Sequence, residues 1–221
     1  MMKERAVIWD FGGVITSSPF DNFKKFETSR NLPAGFIRMV NSQNSDFNAW
    51  ALLEKGEIDN AMFDQMFLEE SRNLGQPIRG DEVLPLINCE IRDEVVSVIQ
   101  KLKAIGIFQL CLTNNINKPP SLAKSFGDGY QAKLKDVMGY FDYVLESSKL
   151  GIRKPDVKIY QLAIEKIGLN PSDIVYFDDL GINLKPARNL GVQTVKVLSK
   201  NQLMDNLRNI FPEVFESERF I

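Results

Sequence analysis

The run Ala6-Val7-Ile8-Trp9-Asp10-Phe11-Gly12-Gly13-Val14-Ile15 constrains the chain more than any other stretch. Ala6 to Trp9 is short and apolar, the pattern of a strand buried on both faces of a sheet. It ends on a carboxylate, and a charge at the end of a buried strand is costly unless it is paired or bound to a metal. Gly12 and Gly13 then allow a sharp turn, close approach to a ligand and backbone N–H groups free to meet an anion. Open α/β sheets place their sites at the carboxyl ends of central strands, so Asp10 is a candidate nucleophile or metal ligand. The plainer reading is a strand-ending Asp in a glycine turn.

Beyond this turn, Ser17 to about Glu90 reads as helical, with no convincing strand. Asp46 to Lys55 stops at Gly56, and Asp59 caps a helix running to about Asn73 with Phe63, Met66 and Phe67 on its apolar stripe. Gly75 to Gly80, with Pro77, is a break. From Ile91 helix and strand alternate. Strands are expected at Ile107–Leu112, Tyr143–Glu146, Ile174–Phe177 and Gln193–Val197, and helices at Arg92–Ala104, Asp156–Ile167, Asn183–Leu190 and Gln202–Ile210. A loop and short helical region run from Lys118-Pro119-Pro120 to about Gly139. Strands separated by helices imply parallel β-α-β units. The expected class is α/β, with a helical segment inserted after the first strand.

A chain of 221 residues, 44% hydrophobic, suffices for one sizeable core plus an insertion. A net charge of −2 gives no electrostatic case for nucleic acid or an anionic membrane, and no apolar run reaches membrane-spanning length. Met1-Met2-Lys3-Glu4-Arg5 passes straight into the first strand, so no signal peptide is expected. Cys89 and Cys111 do not make a disulfide framework, and a reducing cytoplasm is expected. The absence of histidine removes Ser-His-Asp and Cys-His catalysis and His-ligated zinc. Carboxylates, lysine, hydroxyls, amides or a metal ion remain.

Three predicted strands end in such groups: Asp10, then Thr113 and Asn114, then Asp178 and Asp179. In a parallel sheet these ends share one edge. Lys154, just before Pro155 at a helix entrance, is placed to reach that edge as a fixed cation. The set suits Mg2+-assisted phosphoryl transfer, since Mg2+ prefers oxygen ligands and aspartate is a known phosphoryl acceptor.

Asp10-Phe11-Gly12-Gly13-Val14, Leu112-Thr113-Asn114, Lys154-Pro155 and Phe177-Asp178-Asp179 resemble, in order, the four motifs of the haloacid dehalogenase superfamily. Lys55-Gly56-Glu57-Ile58 and the stretch Asp178 to Arg188 resemble more closely the phosphatase-type N-terminal domains of soluble epoxide hydrolases and the matching domain of acyl-CoA dehydrogenase family member 10. The resemblance implies a Rossmann-like three-layer parallel-sheet core (1–16 and 91–221) and a helical cap of the C1 type (17–90). It implies that Asp10 attacks phosphorus, that Thr113, Asn114 and the Phe11 and Gly12 N–H groups hold the phosphoryl oxygens, and that Lys154 balances charge. Mg2+ would bind Asp10, Asp179 and the Gly12 carbonyl, with Asp178 a further or indirect ligand. The partner implied is a small phosphorylated substrate.

The sequence departs from the superfamily at one position. Many of its phosphatases carry a second Asp two residues after the nucleophile, as general acid and base; here that residue is Gly12. A positioned acid is worth about 10²–10⁴-fold. Two rivals therefore stand beside the phosphatase: a binding protein that keeps the Mg2+–phosphate pocket without turnover, and C–halogen hydrolysis, which needs no metal and leaves the Asp178-Asp179 pair without a role. Asn115 and Asn183 read as loop and helix-cap residues, and Trp9 and Trp50 as packing residues. Arg153 reads equally as a surface charge or a phosphate contact. Ser17, Ser18 and Asp21 lie where the chain leaves for the insertion and are weaker candidates for substrate contact.

Overall fold

The computed structural model describes residues 5–117 and 127–215. The expected loop at Lys118-Pro119-Pro120 and the leading Met1 to Glu4 lie outside the described residues. Strands β1 (Ala6–Trp9), β2 (Phe108–Thr113), β3 (Tyr143–Glu146), β4 (Ile174–Asp178) and β5 (Gln193–Lys196) form one sheet in the order β3-β2-β1-β4-β5. Every pairing is parallel. β1 lies at the centre with all four side chains buried; β2 and β3 are added on one side, and the chain then crosses back to add β4 and β5 on the other. That reversal of strand order opens a crevice at the carboxyl edge, where such sheets bind ligands.

Register carries the site. Trp9 pairs with Cys111 on one side and Phe177 on the other, so Asp10 follows level with Leu112 and Asp178, and Thr113 lies one residue further on. Alternation along β1 sends its side chains to opposite faces. Val7 and Trp9 join Val95, Ile99 and Leu102 of α6 (Asp93–Ala104) and, from the C-terminal helix Lys200–Ile210, Leu203 and Leu207. Ala6 and Ile8 join Ile159, Tyr160 and Ala163 of the helix Val157–Ile167 and Leu184 and Ala187 of the helix Gly181–Asn189. Both faces are thus covered, giving three layers.

A third apolar cluster belongs to the helices that follow β1: α1 (Pro19–Ser29), α2 (Phe36–Ser42), α3 (Ala49–Glu54), α4 (Asn60–Asn73) and α5 (Gly80–Val83). Phe23, Phe36, Phe63 and Phe67 are its largest buried members. Asp59 caps α4 through Met62 N, as its position suggested. Helix α3 starts later than expected because Asn48, not Asp46, accepts from a backbone N–H, that of Ala51. The two chain crossings between this unit and the sheet run side by side: Ser17 N donates to Glu90 O (2.8 Å) and Arg92 N to Ile15 O (2.9 Å). Among the described residues no helix is long and apolar enough to cross a membrane.

Candidate active site

Asp10 leaves β1 in an extended conformation, and Phe11 to Ile15 form one wide turn closed by Thr16 N donating to Phe11 O at 3.0 Å. The two glycines of that turn are not equivalent. Gly13 has φ +75°, and a Cβ there would sit 2.3 Å from Asp179 Oδ2, so only glycine fits both the backbone and its neighbour. Gly12 has φ −69° and ψ 131°, open to any residue, and a Cβ there meets no atom within 4 Å. Gly13→Ala is expected to lower stability by about 2 kcal/mol or more and to displace Asp179. Thermal melting, with and without Mg2+, checks both effects.

Lys154 is buried at 1% exposure, with Nζ 2.8 Å from Asp10 Oδ1 and 2.9 Å from Asp178 Oδ2. Asp178, fully buried, also accepts from Leu180 N (2.7 Å), from Asn183 Nδ2 (3.1 Å to each oxygen) and from the Tyr176 hydroxyl. Oxygens of Asp10, Asp178 and Asp179 lie within 4.8 Å of one another. Burial opposes the ammonium of Lys154, but the Asp10 and Asp178 carboxylates outweigh it and hold its pKa above the ordinary lysine range. Burial raises the Asp10 carboxyl well above its usual range; Asp178 and Asp179 push the same way, and Lys154 opposes. Burial and then Asp178 raise Asp179 to about 6. Three carboxyl groups around one ammonium leave an excess of negative charge, which a divalent cation would neutralise.

The edge therefore brings together Asp10, Thr113, Asn114, Lys154, Asp178 and Asp179. Asp178 receives donors on both oxygens and so anchors Lys154 and the following turn, while standing in the same carboxylate group as Asp10 and Asp179. The Asn114 side chain is likewise committed: Oδ1 accepts from Lys154 N (2.9 Å), while Nδ2 donates to Lys154 O (3.1 Å) and Glu54 Oε2 (3.2 Å). It holds the Lys154 loop. Phe11 N donates to Asp10 Oδ1 at 2.7 Å. Thr113 ends β2 beside them, 7% exposed.

Several residues outside this group make structural bonds. Asn115 braces the loop against Glu146 and Ser148, and Ser18 caps α1. Ser17 Oγ accepts from Glu90 N. Arg153, left undecided by sequence, pairs with Glu54 at 2.7 Å. Asn183, read as a helix-cap residue, instead grips both oxygens of Asp178. Tyr176, Arg92 and Glu54 had no sequence signal of their own. Arg92 Nη1 donates to Gly13 O (3.0 Å) and Val14 O (3.1 Å) and so closes the glycine turn.

A family model for haloacid dehalogenase-like hydrolases matches residues 4–191. Acyl-CoA dehydrogenase family member 10 of Mus musculus is 34% identical over 202 residues, covering 87% of this chain and 18% of that protein. Bifunctional epoxide hydrolase 2 of Sus scrofa is 27% identical over 221 residues, covering 95% of this chain and 39% of that protein. The chain thus spans well under half the length of these relatives. Other relatives include proteins named as phosphatases and as a haloacid dehalogenase. A solved haloacid dehalogenase-family enzyme of Bacteroides thetaiotaomicron, in complex with magnesium and inorganic phosphate, superposes with a TM-score of 0.57 at 20% identity, covering 88% of this chain and 94% of that one.

Proposed function

The chain belongs to the haloacid dehalogenase-like hydrolases, and from that membership and the strand-edge geometry we propose a Mg2+-dependent phosphatase acting on a small phosphorylated metabolite. The observation that carries the reading is the carboxylate excess around Lys154, whose Nζ is paired to Asp10 and Asp178. A metal would be held by Asp10, Asp179 and the Gly12 carbonyl; these oxygen donors are the kind Mg2+ selects. Once bound, it supplies charge stabilisation to the transferring phosphoryl group.

The chain's own residues do the remaining work. An Asp10 carboxylate oxygen attacks phosphorus, the bond to the leaving oxygen breaks, and that oxygen takes its proton from water or from the substrate, since Gly12 has none to give. Water then attacks the aspartyl-phosphate and releases inorganic phosphate, restoring the Asp10 carboxylate. Lys154 stays charged throughout and offsets the negative charge gathered at Asp10, in keeping with phosphoryl transfer as chemistry of positioning and charge. Thr113 and the backbone N–H of Gly12 are assigned to the phosphoryl oxygens. Residues 17–90 are assigned the part of a cap that excludes water during the reaction. This assignment gives Asp179 a use that C–halogen hydrolysis would not.

Phosphate release from a panel of small phosphate monoesters, with and without Mg2+, tests the reading. Release that requires Mg2+ supports it. Folded protein that binds Mg2+ and phosphate yet releases nothing overturns it in favour of a binding role, the alternative that Gly12 favours. Halide release without metal overturns it in favour of dehalogenation.

Metal binding should also depend on pH in a defined direction. The folded-state pKa of Asp179, about 6, lies above the unfolded value near 3.8. In metal-free protein its contribution to stability is therefore full below about pH 4 and lost as pH rises through about 6, by up to about 3 kcal/mol. Mg2+ needs the deprotonated carboxylate, so the rise in melting temperature it gives should be smaller at pH 5 than at pH 7.5, where Asp179 no longer limits the full effect. At 100-fold excess over Kd that full effect is about 2.7 kcal/mol. Melting curves across that range, with and without Mg2+, measure it.

A further inference from the structure

Glu54, the last residue of α3, is a carboxylate at 8% exposure that the proposed chemistry does not use. Its partners lie mostly outside the helical unit that carries it. Oε2 accepts from Arg153 Nε at 2.7 Å and from Asn114 Nδ2 at 3.2 Å, and Arg153 Nη2 also lies 2.7 Å away. Oε1 accepts from Trp50 Nε1 (2.9 Å), and the Glu54 backbone oxygen accepts from Ser147 Oγ (2.6 Å). Arg153 immediately precedes Lys154. Asn114 bridges the Lys154 backbone, accepting from its N–H at 2.9 Å and donating to its carbonyl at 3.1 Å. Glu54 therefore grips the Lys154 loop twice, once through each neighbour, and that loop places Nζ 2.8 Å from Asp10.

Tying two parts of a chain together does not need a buried carboxylate, because apolar contact does so without desolvating charge. What a carboxylate adds is direction: it fixes a planar guanidinium and a carboxamide in one arrangement. We propose that Glu54 is a positioning residue for phosphoryl transfer, holding the Lys154 backbone so that its ammonium meets Asp10, and that the site is complete only when α3 is seated against it. The consequence for turnover rests on the phosphatase reading; the consequence for Lys154 does not. Loss of Glu54 leaves the Asn114 amide without one acceptor and Arg153 with only its bond to Ser45 O (3.1 Å), so the loop is held less firmly and can shift. A shift of about 1 Å in a reacting group costs about 10²-fold.

The test uses the full chain carrying Glu54→Ala, Glu54→Gln or, as a control, Asn60→Ala. The control cuts a different contact of the helical unit, Asn60 Nδ2 to Asn117 O at 3.3 Å. Two readouts are taken beside thermal melting. The first is the ¹⁵N-edited NMR signal of the Lys154 ammonium, assigned by its loss in Lys154→Met, with its proton exchange rate. The second is kcat and KM for Mg2+-dependent phosphate release. In Glu54→Ala the Lys154 signal is expected to broaden or move, its exchange to quicken about tenfold or more, and kcat to fall about 10–100-fold with KM within about threefold. Glu54→Gln, which keeps an acceptor for Asn114, should fall between, and Asn60→Ala should match wild type.

An unchanged Lys154 signal in folded Glu54→Ala overturns the proposal, as does an equal change in Asn60→Ala. If Glu54→Ala does not fold, Glu54→Gln decides by the same signal. If the wild type releases no phosphate, the phosphatase reading fails while the Lys154 signal still decides this one.

Discussion

Asp10→Asn is expected to lower kcat for phosphate release by at least about 10⁴-fold while the protein stays folded. The amide cannot serve as the attacking oxygen, and no other carboxylate can replace it. Asp178 is saturated by Lys154, Tyr176, Leu180 and Asn183. Asp179 lies across the turn against Gly13. The fold should survive because burial already works against the charged form of Asp10. An asparagine oxygen can accept from Lys154, and Lys154 keeps Asp178 at 2.9 Å. The variant should therefore melt at or above the wild-type temperature in metal-free buffer near pH 7 and lose much of its stabilisation by Mg2+. Steady-state phosphate release together with melting checks all three outcomes. A variant that melts normally and still turns over at more than about a hundredth of the wild-type rate excludes Asp10 as the nucleophile.

Gly12→Asp should act in the opposite direction. The backbone there is ordinary extended chain and a Cβ meets nothing within 4 Å, so the side chain enters without displacing a neighbour. It would stand two residues after the nucleophile, where superfamily phosphatases carry their acid. Installing a positioned acid is expected to raise kcat/KM by about 10²-fold on alkyl phosphates, whose leaving oxygen needs a proton. The gain should shrink toward none on aryl phosphates with acidic leaving groups. Rates across a series of leaving-group pKa values test this: a steep dependence in the wild type should flatten in Gly12→Asp. Equal gains on all substrates would show that the new carboxylate acts through metal or phosphate binding instead. The added charge near Asp10 and Asp179 should tighten Mg2+ binding and cost some metal-free stability, because a further carboxylate joins an already negative site.

Both variants turn on residues whose place along the chain was legible in sequence. The five strands and the helices between them follow from local pattern: short runs of strand-forming residues, mostly apolar, helical stripes, and stops such as Gly56 and Gly168. The strand-end carboxylates could be read as converging because parallel strands present their carboxyl ends on one side, whatever the separation in sequence. Boundaries were less legible. Helix α3 begins where Asn48 finds a backbone donor, which the spacing of Asp46 did not reveal. Roles were least legible of all. Sequence places Asp178 and Asn114 at the edge by residue type, but the neighbours they bond there, Tyr176, Asn183 and Glu54 among them, are supplied only by folding.

By itself, then, the sequence determined the α/β class, the helical insertion after the first strand, and the group of Asp10, Thr113, Lys154 and Asp179 at one sheet edge. These depend on periodicities of two and 3.6 residues and on the handedness of parallel connections, both properties of local chain chemistry. Only the tertiary structure decided that Gly13 is obligatory while Gly12 is not, since that rests on the approach of Asp179 from a strand far along the chain. The same holds for Glu54, whose partners Asn114 and Arg153 lie 60 and 99 residues away. Contacts of that range leave no periodic trace, because what selects them is the geometry of packed elements and the need of a buried charge for donors.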